Sequence, residues 1–145
     1  MSSKEEVSDS PTRWVSQHIR RYVETDGAKG HQWRGVQTLL LTTRGRKTGR
    51  LRRTALIYGR DGDRYLVVAS NGGSKMHPSW YLNLADNPEV ELQVGAERFA
   101  ARALPATPDE RAELWPGMTS IWPEYDRYQA KTERDIPLVI LERLP

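Results

Sequence analysis

The sequence predicts a mostly β, α+β domain in which six antiparallel strands form a closed or nearly closed barrel with helices packed around it. Short β-branched or leucine-rich runs are separated by turn residues such as Asp61-Gly62-Asp63, which is typical of strands joined by hairpins. Helical periodicity is confined to a few segments, and 145 residues are enough to bury one core. These features together are typical of a small antiparallel barrel.

The N-terminal part of the chain divides into a tail and a helix. Residues 1–10 are polar and mixed in charge, so we expect a flexible tail, and residues 11–145 form the single predicted domain. Trp14, His18 and Tyr22 recur every four residues and predict one face of an amphipathic helix over residues 11–24.

The remaining elements follow in the order three strands, helix, two strands, helices and strand. A helix is predicted over residues 78–85, and Thr107 with Glu110 forms a capping box that begins the later helical region. We expect Pro116 and Pro123 to interrupt that region. The six strands are predicted over residues 36–43, 51–58, 64–70, 90–94, 98–104 and 136–142.

The composition excludes several kinds of site. The chain has no cysteine, which rules out disulfides, thiolate metal sites and cysteine nucleophiles. Its three histidines, His18, His31 and His77, lack the spacing of metal ligands. Residues 1–10 contain no signal-peptide core, and no stretch approaches the roughly 20 apolar residues of a membrane span. We therefore expect a cytoplasmic protein.

A basic turn between the first two predicted strands is the first candidate site. Six of the 22 basic residues lie between residues 44 and 53. Guanidinium groups bind phosphate or carboxylate oxygens through paired hydrogen bonds, and the glycines at 45 and 49 allow a tight turn. The spacing does not match a Walker loop. A solvated basic hairpin is the alternative, since charged turns are common.

Three further groups are candidates for ligand contact. Ser70 ends a strand just before the Gly72-Gly73 loop, although a serine there is more often a turn residue, and no hydrolase motif supports a nucleophile. Trp80 and Asn83 lie on a predicted helix, where packing is the simpler interpretation. The last group has helical spacing and forms either core or the wall of a pocket: Trp115, Met118, Trp122, Tyr125 and Tyr128.

The motifs over residues 41–49, 69–73, 78–88 and 122–137, in this order and spacing, resemble the actinobacterial deazaflavin-dependent nitroreductase and quinone reductase family. The resemblance extends over about residues 37–141. It implies a split β-barrel of the flavin-reductase, FMN-binding type. It also implies coenzyme F420 as the hydride donor, and a quinone or nitroaromatic compound as the acceptor.

The resemblance assigns roles by position. Lys47 and Arg52 are implied as anchors of the coenzyme's phosphate and tail, and Ser70, Tyr125 and Tyr128 as the residues that act on the acceptor. Ile57 and Trp122 join the two tyrosines in the substrate wall. The full implied coenzyme site is Arg46, Lys47, Thr48, Arg52, Thr54, Ala55, Leu56, Ala69, Ser70, Asn71, Gly72, Gly73, Trp80 and Asn83.

Three positions depart from the family pattern. Asn71 stands where the family often has lysine, which implies one weaker anionic contact. Ile57 and Trp122 stand where it often has tyrosine, and this change in the substrate wall does not favour activation of nitroimidazoles.

Other functions and partners stay open from the sequence alone. The rival functions are an FMN-binding split-barrel oxidoreductase and a noncatalytic barrel that binds single-stranded nucleic acid, although the aromatics lie mostly outside the strands. The helix over 11–24 either packs on the barrel or contacts an anionic membrane surface. The chain is a monomer or a homodimer. Water or a tyrosine supplies the proton that accompanies the hydride.

Overall fold

The computed structural model describes residues 5–145, and these form nine strands and four helices. The helices are α1 (Arg13–Glu24), α2 (Ser79–Asp86), α3 (Pro108–Ile121) and α4 (Glu124–Ala130). The strands are β1 (Val7–Asp9), β2 (Gln32–Trp33), β3 (Val36–Arg44), β4 (Leu51–Ile57), β5 (Gly59–Asp61), β6 (Arg64–Val68), β7 (Glu89–Val94), β8 (Glu97–Pro105) and β9 (Leu138–Arg143).

Eight strands form one hydrogen-bonded path in the order β1-β4-β3-β7-β8-β9-β6-β5, and β2 pairs with β3 beside it. Every pair is antiparallel except β1 with β4, which is parallel. The predicted count of six strands was wrong, because β1, β2 and β5 are too short to show a period in the sequence. Within residues 5–145 no ladder joins the end strands β1 and β5, so the predicted closed barrel is not formed.

One face of the sheet forms the main core. Side chains alternate across a strand, so Leu39 and Leu41 of β3 lie on the same face. They share a single buried cluster with Val67 of β6, Leu92 of β7 and Leu141 of β9. Because strands from distant positions in the sheet order contribute to one cluster, the sheet curls around its own interior.

Helix α2 packs against the main core through Leu84, whereas α1, α3 and α4 cover the opposite face at two separate places. Ile19 and Tyr22 of α1 are fully buried and pack against Leu40 of β3. Helices α3 and α4 cover the outer face of β6 and β9, where Met118 and Tyr125 are buried. The space between these two helical layers is the site described below.

Proline affects the later helices differently from the sequence prediction. Pro116 lies inside α3, which continues to Ile121, so the expected interruption at Pro116 was wrong. The burial of Met118 just beyond it stabilises the helix despite the lost backbone hydrogen bond. Pro123 does separate α3 from α4.

The predicted flexible tail is partly ordered. Val7–Asp9 pairs with Leu51–Arg53, and the Asp9 carboxylate accepts two hydrogen bonds from Arg53, at 2.6 Å and 3.2 Å. This ion pair and the strand pairing explain why a polar segment is held on the sheet. Residues 1–4 of the predicted tail lie outside the described residues. In the part of the chain that is described, no helix has the length and apolar character needed to cross a bilayer.

Candidate active site

Two adjoining cavities lie along β4. The first has a volume of about 430 Å³ and the second about 420 Å³, and Thr54 and Trp80 line both. Their walls differ in chemistry. Aromatic and aliphatic side chains surround most of the first, which we call the apolar cavity. The basic turn and β1 surround the second, which we call the cationic cavity.

Strand β4 forms the floor of the apolar cavity, and helices α1 and α4 with the Ser70 loop form its sides. Each of these elements presents several side chains. The lining residues are Trp14, Val15, His18, Trp33, Thr38, Thr54, Ala55, Leu56, Ile57, Val68, Ser70, Asn71, Gly72, Pro78, Trp80, Trp122, Tyr125 and Tyr128.

Three tryptophans from separate parts of the chain form one wall of the apolar cavity. The rings of Trp14 and Trp33 are stacked with centroids 5.8 Å apart, and the rings of Trp33 and Trp122 are 5.6 Å apart. Trp14 is 58% exposed, so this wall extends from the cavity to the protein surface. A flat aromatic molecule could stack against such a wall.

Tyr125 and Tyr128 form the wall that α4 contributes. Their ring centroids are 6.3 Å apart in an edge-on arrangement. Tyr125 is buried, and this burial raises the pKa of its phenol above the usual value. Its proton is therefore held tightly at neutral pH, and the hydroxyl can serve as a hydrogen-bond donor.

Ser70 lies at the edge of the apolar cavity, and Arg134 holds its backbone in place. The Arg134 guanidinium donates to the carbonyl oxygens of Ser70 at 2.9 Å and Ser74 at 2.8 Å. It also lies 3.1 Å from Nδ1 of His77, and burial lowers the pKa of Arg134 from its usual value. Within residues 5–145 the Ser70 hydroxyl makes no hydrogen bond, so it is free to contact a ligand.

The cationic cavity contains three basic side chains, Arg46, Lys47 and Arg52, that pair with no carboxylate among residues 5–145, and only Arg46 is bonded to another side chain, that of Asn83. Arg44 is paired with Glu5, and Arg53 with Asp9. Lys47 and Arg52 line the cavity, and among residues 5–145 neither lies within ion-pair distance of an acidic group. Their positive charge is available to an anionic ligand.

Asn83 fixes the shape of the basic turn. Its side-chain oxygen accepts hydrogen bonds from the backbone N–H of Arg46 at 3.2 Å and from the Arg46 guanidinium at 3.1 Å. Its amide nitrogen donates to the hydroxyl of Thr43 at 3.2 Å. Because these bonds occupy the buried amide, Asn83 positions the turn in this structure.

The structure brings nearly all of the sequence-predicted site residues to the two cavities. Arg46, Lys47, Thr48, Arg52 and Asn83 line the cationic cavity, and Thr54 and Trp80 line both. Lining the apolar cavity alone are Ala55, Leu56, Ile57, Ser70, Asn71, Gly72, Trp122, Tyr125 and Tyr128.

Two predicted residues line neither cavity. Ala69 is fully buried. Gly73 has a φ of +82°, and a Cβ placed there would lie 2.8 Å from the Tyr128 carbonyl oxygen. Its lack of a side chain lets the loop approach α4 closely.

Sequence reasoning missed the contribution of the N-terminal region to both cavities. Trp14, His18 and Trp33 line the apolar cavity, and Ser8 and Asp9 line the cationic one. The spacing of Trp14 and His18 was visible but indicated only a helix face. Nothing in the sequence marks Trp33, because it lies in a two-residue strand.

The residues present fit a coenzyme with a flat ring and an anionic tail. A ring system can enter the aromatic-walled cavity, and its tail can continue past Thr54 and Trp80 to Lys47 and Arg52. In the described part of the chain, no three His, Cys, Asp or Glu side chains are grouped to hold a metal ion. The fold and site thus define a protein that binds a planar, polyanionic organic coenzyme.

Comparison with known proteins identifies the family. The sequence pattern of F420H(2)-dependent quinone reductases matches residues 14–143, and the chain belongs to this family. It is an oxidoreductase whose cofactor is coenzyme F420 and whose acceptor is a quinone. An F420H(2)-dependent quinone reductase of Mycobacterium tuberculosis is 41% identical over 145 residues, which cover 91% of this chain and 97% of that protein.

Solved structures agree with this family. A structure described as a domain-swapped dimer is 37% identical, with a TM-score of 0.70, over 92% of this chain and all of the other. An F420H2-dependent reductase, FDR-A, is 38% identical with a TM-score of 0.67, over 72% of this chain and 93% of that one. An FAD-binding protein of Mesorhizobium loti, 14% identical over 74% of this chain and 79% of that one, shares the fold with a TM-score of 0.53.

Proposed function

We propose that the deazaflavin ring of F420 binds in the apolar cavity and its phosphate and glutamyl tail in the cationic cavity. The observation that carries the proposal is the pair of shared lining residues, Thr54 and Trp80, at the junction of the two cavities. The backbone of Thr54 to Leu56 would lie along the ring, and Lys47 and Arg52 would hold the tail. When bound, the reduced coenzyme supplies a hydride from its C5 carbon.

The acceptor would stack against Tyr125, Tyr128 and Trp122 on the other side of the apolar cavity. The Ser70 hydroxyl would donate a hydrogen bond to the acceptor oxygen on which negative charge develops. The Arg134 guanidinium donates to the Ser70 carbonyl at 2.9 Å. Because this bond fixes the Ser70 backbone, the loop needs little rearrangement when negative charge develops on the acceptor oxygen. The role of these residues is to orient the acceptor and exclude water.

The walls of the apolar cavity favour a quinone over a nitroimidazole as the acceptor. Trp122 and Ile57 supply bulk there without the hydroxyl that a tyrosine would add. A quinone is flat and largely apolar, and it suits these side chains. Nitroaromatic compounds that share this flat shape remain within the proposed acceptor class.

F420 is preferred over FMN because of the number and position of the cations. Lys47 and Arg52 lie in a cavity of about 420 Å³, which exceeds what one phosphate group occupies. A nucleic-acid-binding role is disfavoured because the aromatic side chains of Trp122, Tyr125 and Tyr128 surround a cavity between helices and sheet.

We further propose that the curled sheet is a split β-barrel, that the protein acts in the cytoplasm, and that it forms a homodimer. The buried cluster shared by β3, β6, β7 and β9 supports the barrel.

The domain-swapped dimer among the solved relatives supports the homodimer. Light scattering after size-exclusion chromatography tests the dimer, and a monomer mass at micromolar concentration would contradict it.

We propose that α1 also contacts an anionic membrane surface while it packs on the sheet. Trp14 is 58% exposed at the mouth of the apolar cavity, and the neighbouring Arg13 and Arg20 are exposed. Trp14→Ala combined with Arg20→Glu is expected to abolish cosedimentation with phosphatidylglycerol vesicles. Leu104→Ala is the control, since Leu104 is also exposed but lies on β8. Equal vesicle binding by the native protein, the Trp14→Ala/Arg20→Glu double variant and the Leu104→Ala control would contradict the membrane role.

The coenzyme assignment is tested by titrating the purified protein with F420 and following the coenzyme fluorescence, with FMN in a parallel titration. Saturable binding of F420, and much weaker binding of FMN, is the expected result. A preference for FMN, or no binding of F420, would contradict the proposed site.

A further inference from the structure

Reduction of a quinone requires a proton as well as a hydride, and the apolar cavity contains one group suited to supply it. We propose that His18 donates the proton that completes reduction of the acceptor. This inference rests on the proposed function, because it assumes that the acceptor binds in the apolar cavity. It assigns a catalytic role to α1, which otherwise covers the sheet.

The position of His18 makes it accessible to a molecule in the cavity. His18 lies on α1, half-buried, and its side chain lines the apolar cavity together with Trp14 and Val15 of the same helix. Tyr125 and Tyr128 of α4 line the same cavity. An acceptor bound in this cavity would therefore have the imidazole at its border.

The hydrogen bonds around His18 determine which nitrogen titrates. Its Nε2 lies 3.4 Å from the hydroxyl oxygen of Thr38, and that hydroxyl donates its own proton to the Gly30 carbonyl at 2.7 Å. Thr38 can then only accept a hydrogen bond from His18, so Nε2 carries a proton in both charge states. Thr38 and the Gly30 carbonyl, which raises the pKa of the ring, both lie on the Nε2 side. Within residues 5–145 no hydrogen bond is formed at Nδ1, so we assign Nδ1 as the nitrogen that gains and loses a proton.

Among the described residues that line the apolar cavity, His18 alone is an imidazole, the side chain whose ordinary pKa of about 6.5 lies nearest to neutral pH. The cavity lining includes no carboxylate and no lysine. Phenols ordinarily titrate near pH 10, and burial raises the pKa of Tyr125 further. General acid catalysis works best when the pKa of the acid is close to the working pH.

The surroundings of His18 hold its pKa below the usual value. Burial is the main cause, the backbone carbonyl of Gly30 acts in the opposite direction, and the positive charge of Arg21 on the same helix lowers the pKa again. Tyr22 lies beside the ring on α1, with centroids 6.3 Å apart, and Thr38 faces it from β3. The imidazolium is thus a stronger acid than a solvent-exposed histidine and releases its proton readily.

The proposed step balances without any further reactant. The C5–H bond of the reduced coenzyme would break as its hydride forms an O–H bond at one oxygen of the quinone. The π electrons would shift through the ring, which becomes aromatic, and leave a negative charge on the other oxygen. The N–H bond at Nδ1 of the His18 imidazolium then breaks and an O–H bond forms on that oxygen. The products are a neutral quinol and a neutral imidazole, which takes a new proton from water at the cavity mouth.

Two measurements test the role of His18. The first is an NMR titration of the His18 ring in the full-length protein, which gives its pKa without any reaction. The second is the pH profile of kcat/KM with reduced F420 and a soluble naphthoquinone. We expect kcat/KM to fall about tenfold per pH unit above a midpoint that equals the NMR pKa and lies below 6.5.

Variants identify the group responsible for that fall. His18→Gln keeps a hydrogen-bonding side chain but cannot donate a proton, so its profile is expected to be flat over this range. Below the midpoint it should be about 10²-fold slower than the native protein, the usual contribution of a general acid. Tight F420 binding by this variant confirms that the site is intact. His77 lies outside both cavities, so His77→Gln is the control and should retain the native pH dependence of kcat/KM.

Each outcome decides between the claims. A fall in rate that persists in His18→Gln, or a midpoint that differs from the NMR pKa, overturns the role of His18 and leaves the proposed function intact. If His18→Gln does not fold, the native protein still tests the role of His18. Equal midpoints in the NMR titration and in the kcat/KM profile support that role, and different midpoints contradict it. A native protein that binds no F420 overturns the proposed function itself, and with it the role of His18.

Discussion

Lys47 and Arg52 differ from their basic neighbours in what surrounds them. Arg44 and Arg53 are already paired with Glu5 and Asp9, so much of their charge is used within the protein. Lys47 and Arg52 face the cationic cavity without such partners among residues 5–145. Two residues in one basic run can therefore have different functions, according to which of them the fold pairs with an acid.

Replacing either cation is expected to weaken F420 binding. Lys47→Ala and Arg52→Ala should each lose about 1.5–3 kcal/mol of binding free energy, the usual contribution of a hydrogen bond to a charged group. Both side chains are exposed, so the loss should be smaller at high salt. Fluorescence titrations at low and high ionic strength measure both effects.

Arg50→Ala is the matched control for these variants. Arg50 belongs to the same basic turn and is exposed, but it lines neither cavity. Its dissociation constant for F420 should be close to that of the native protein. An equal loss in all three variants would mean that the turn acts only through its net charge.

At the scale of elements, the Ser70 loop and α4 behave as one unit. Lys131, just after α4, donates to the Gly72 carbonyl at 3.1 Å, and Gly73 approaches the backbone of Tyr128. Arg134 donates to the Ser70 and Ser74 carbonyls of the same loop. The residues proposed to orient the acceptor, Ser70 and the α4 tyrosines, are thus held at a fixed spacing.

A pair of glycine variants tests this close approach. Gly72 and Gly73 both have positive φ, so alanine at either should cost about 1–2 kcal/mol of stability. Gly73→Ala should cost more, because its Cβ would lie 2.8 Å from the Tyr128 carbonyl oxygen, whereas the space at Gly72 is open. Urea denaturation measures the difference, and Gly73→Ala should also raise the KM for quinone. Equal losses of stability would show that the loop and α4 move apart freely.

At the scale of the whole molecule, histidine burial couples stability to pH. Burial lowers the pKa of His18, and burial with the nearby Arg134 charge lowers the pKa of His77. Between the lowered pKa of the folded state and 6.5 in the unfolded state, the unfolded chain binds more protons. Stability therefore rises with pH in this window.

We expect the free energy of unfolding to decrease as the pH falls from about 6.5 through the folded-state pKa of each histidine. The decrease should stop below those values, where both states are protonated. Urea denaturation at closely spaced pH values measures it, and His18→Gln with His77→Gln should flatten the curve. A further loss at lower pH is expected from Glu110, since hydrogen bonds from Thr107 lower the pKa of its carboxyl. An unchanged slope in the double variant would contradict the histidine assignment.

The sequence determined much about the strands, and most of the residues that it marked as a site line the two cavities. The long strands β3, β7 and β8 each show alternation or a continuous apolar run, and the capping box at Thr107 and Glu110 is present as predicted. The motif order also indicated the family. These features are local, since they depend on side-chain period, turn chemistry and spacing along the chain.

Only the tertiary structure decided how the N-terminal region takes part. Strand β1 is short and polar, and it exists because β4 offers a free edge and Arg53 offers a partner for Asp9. Trp33 gains its position from stacking on Trp14 and Trp122, which are distant in sequence. His18 shares its helix face with Trp14 and Tyr22, and only the packing of α1 against β3 places it at the cavity. Contacts between distant segments leave no period in a sequence, so pattern alone could not have predicted them.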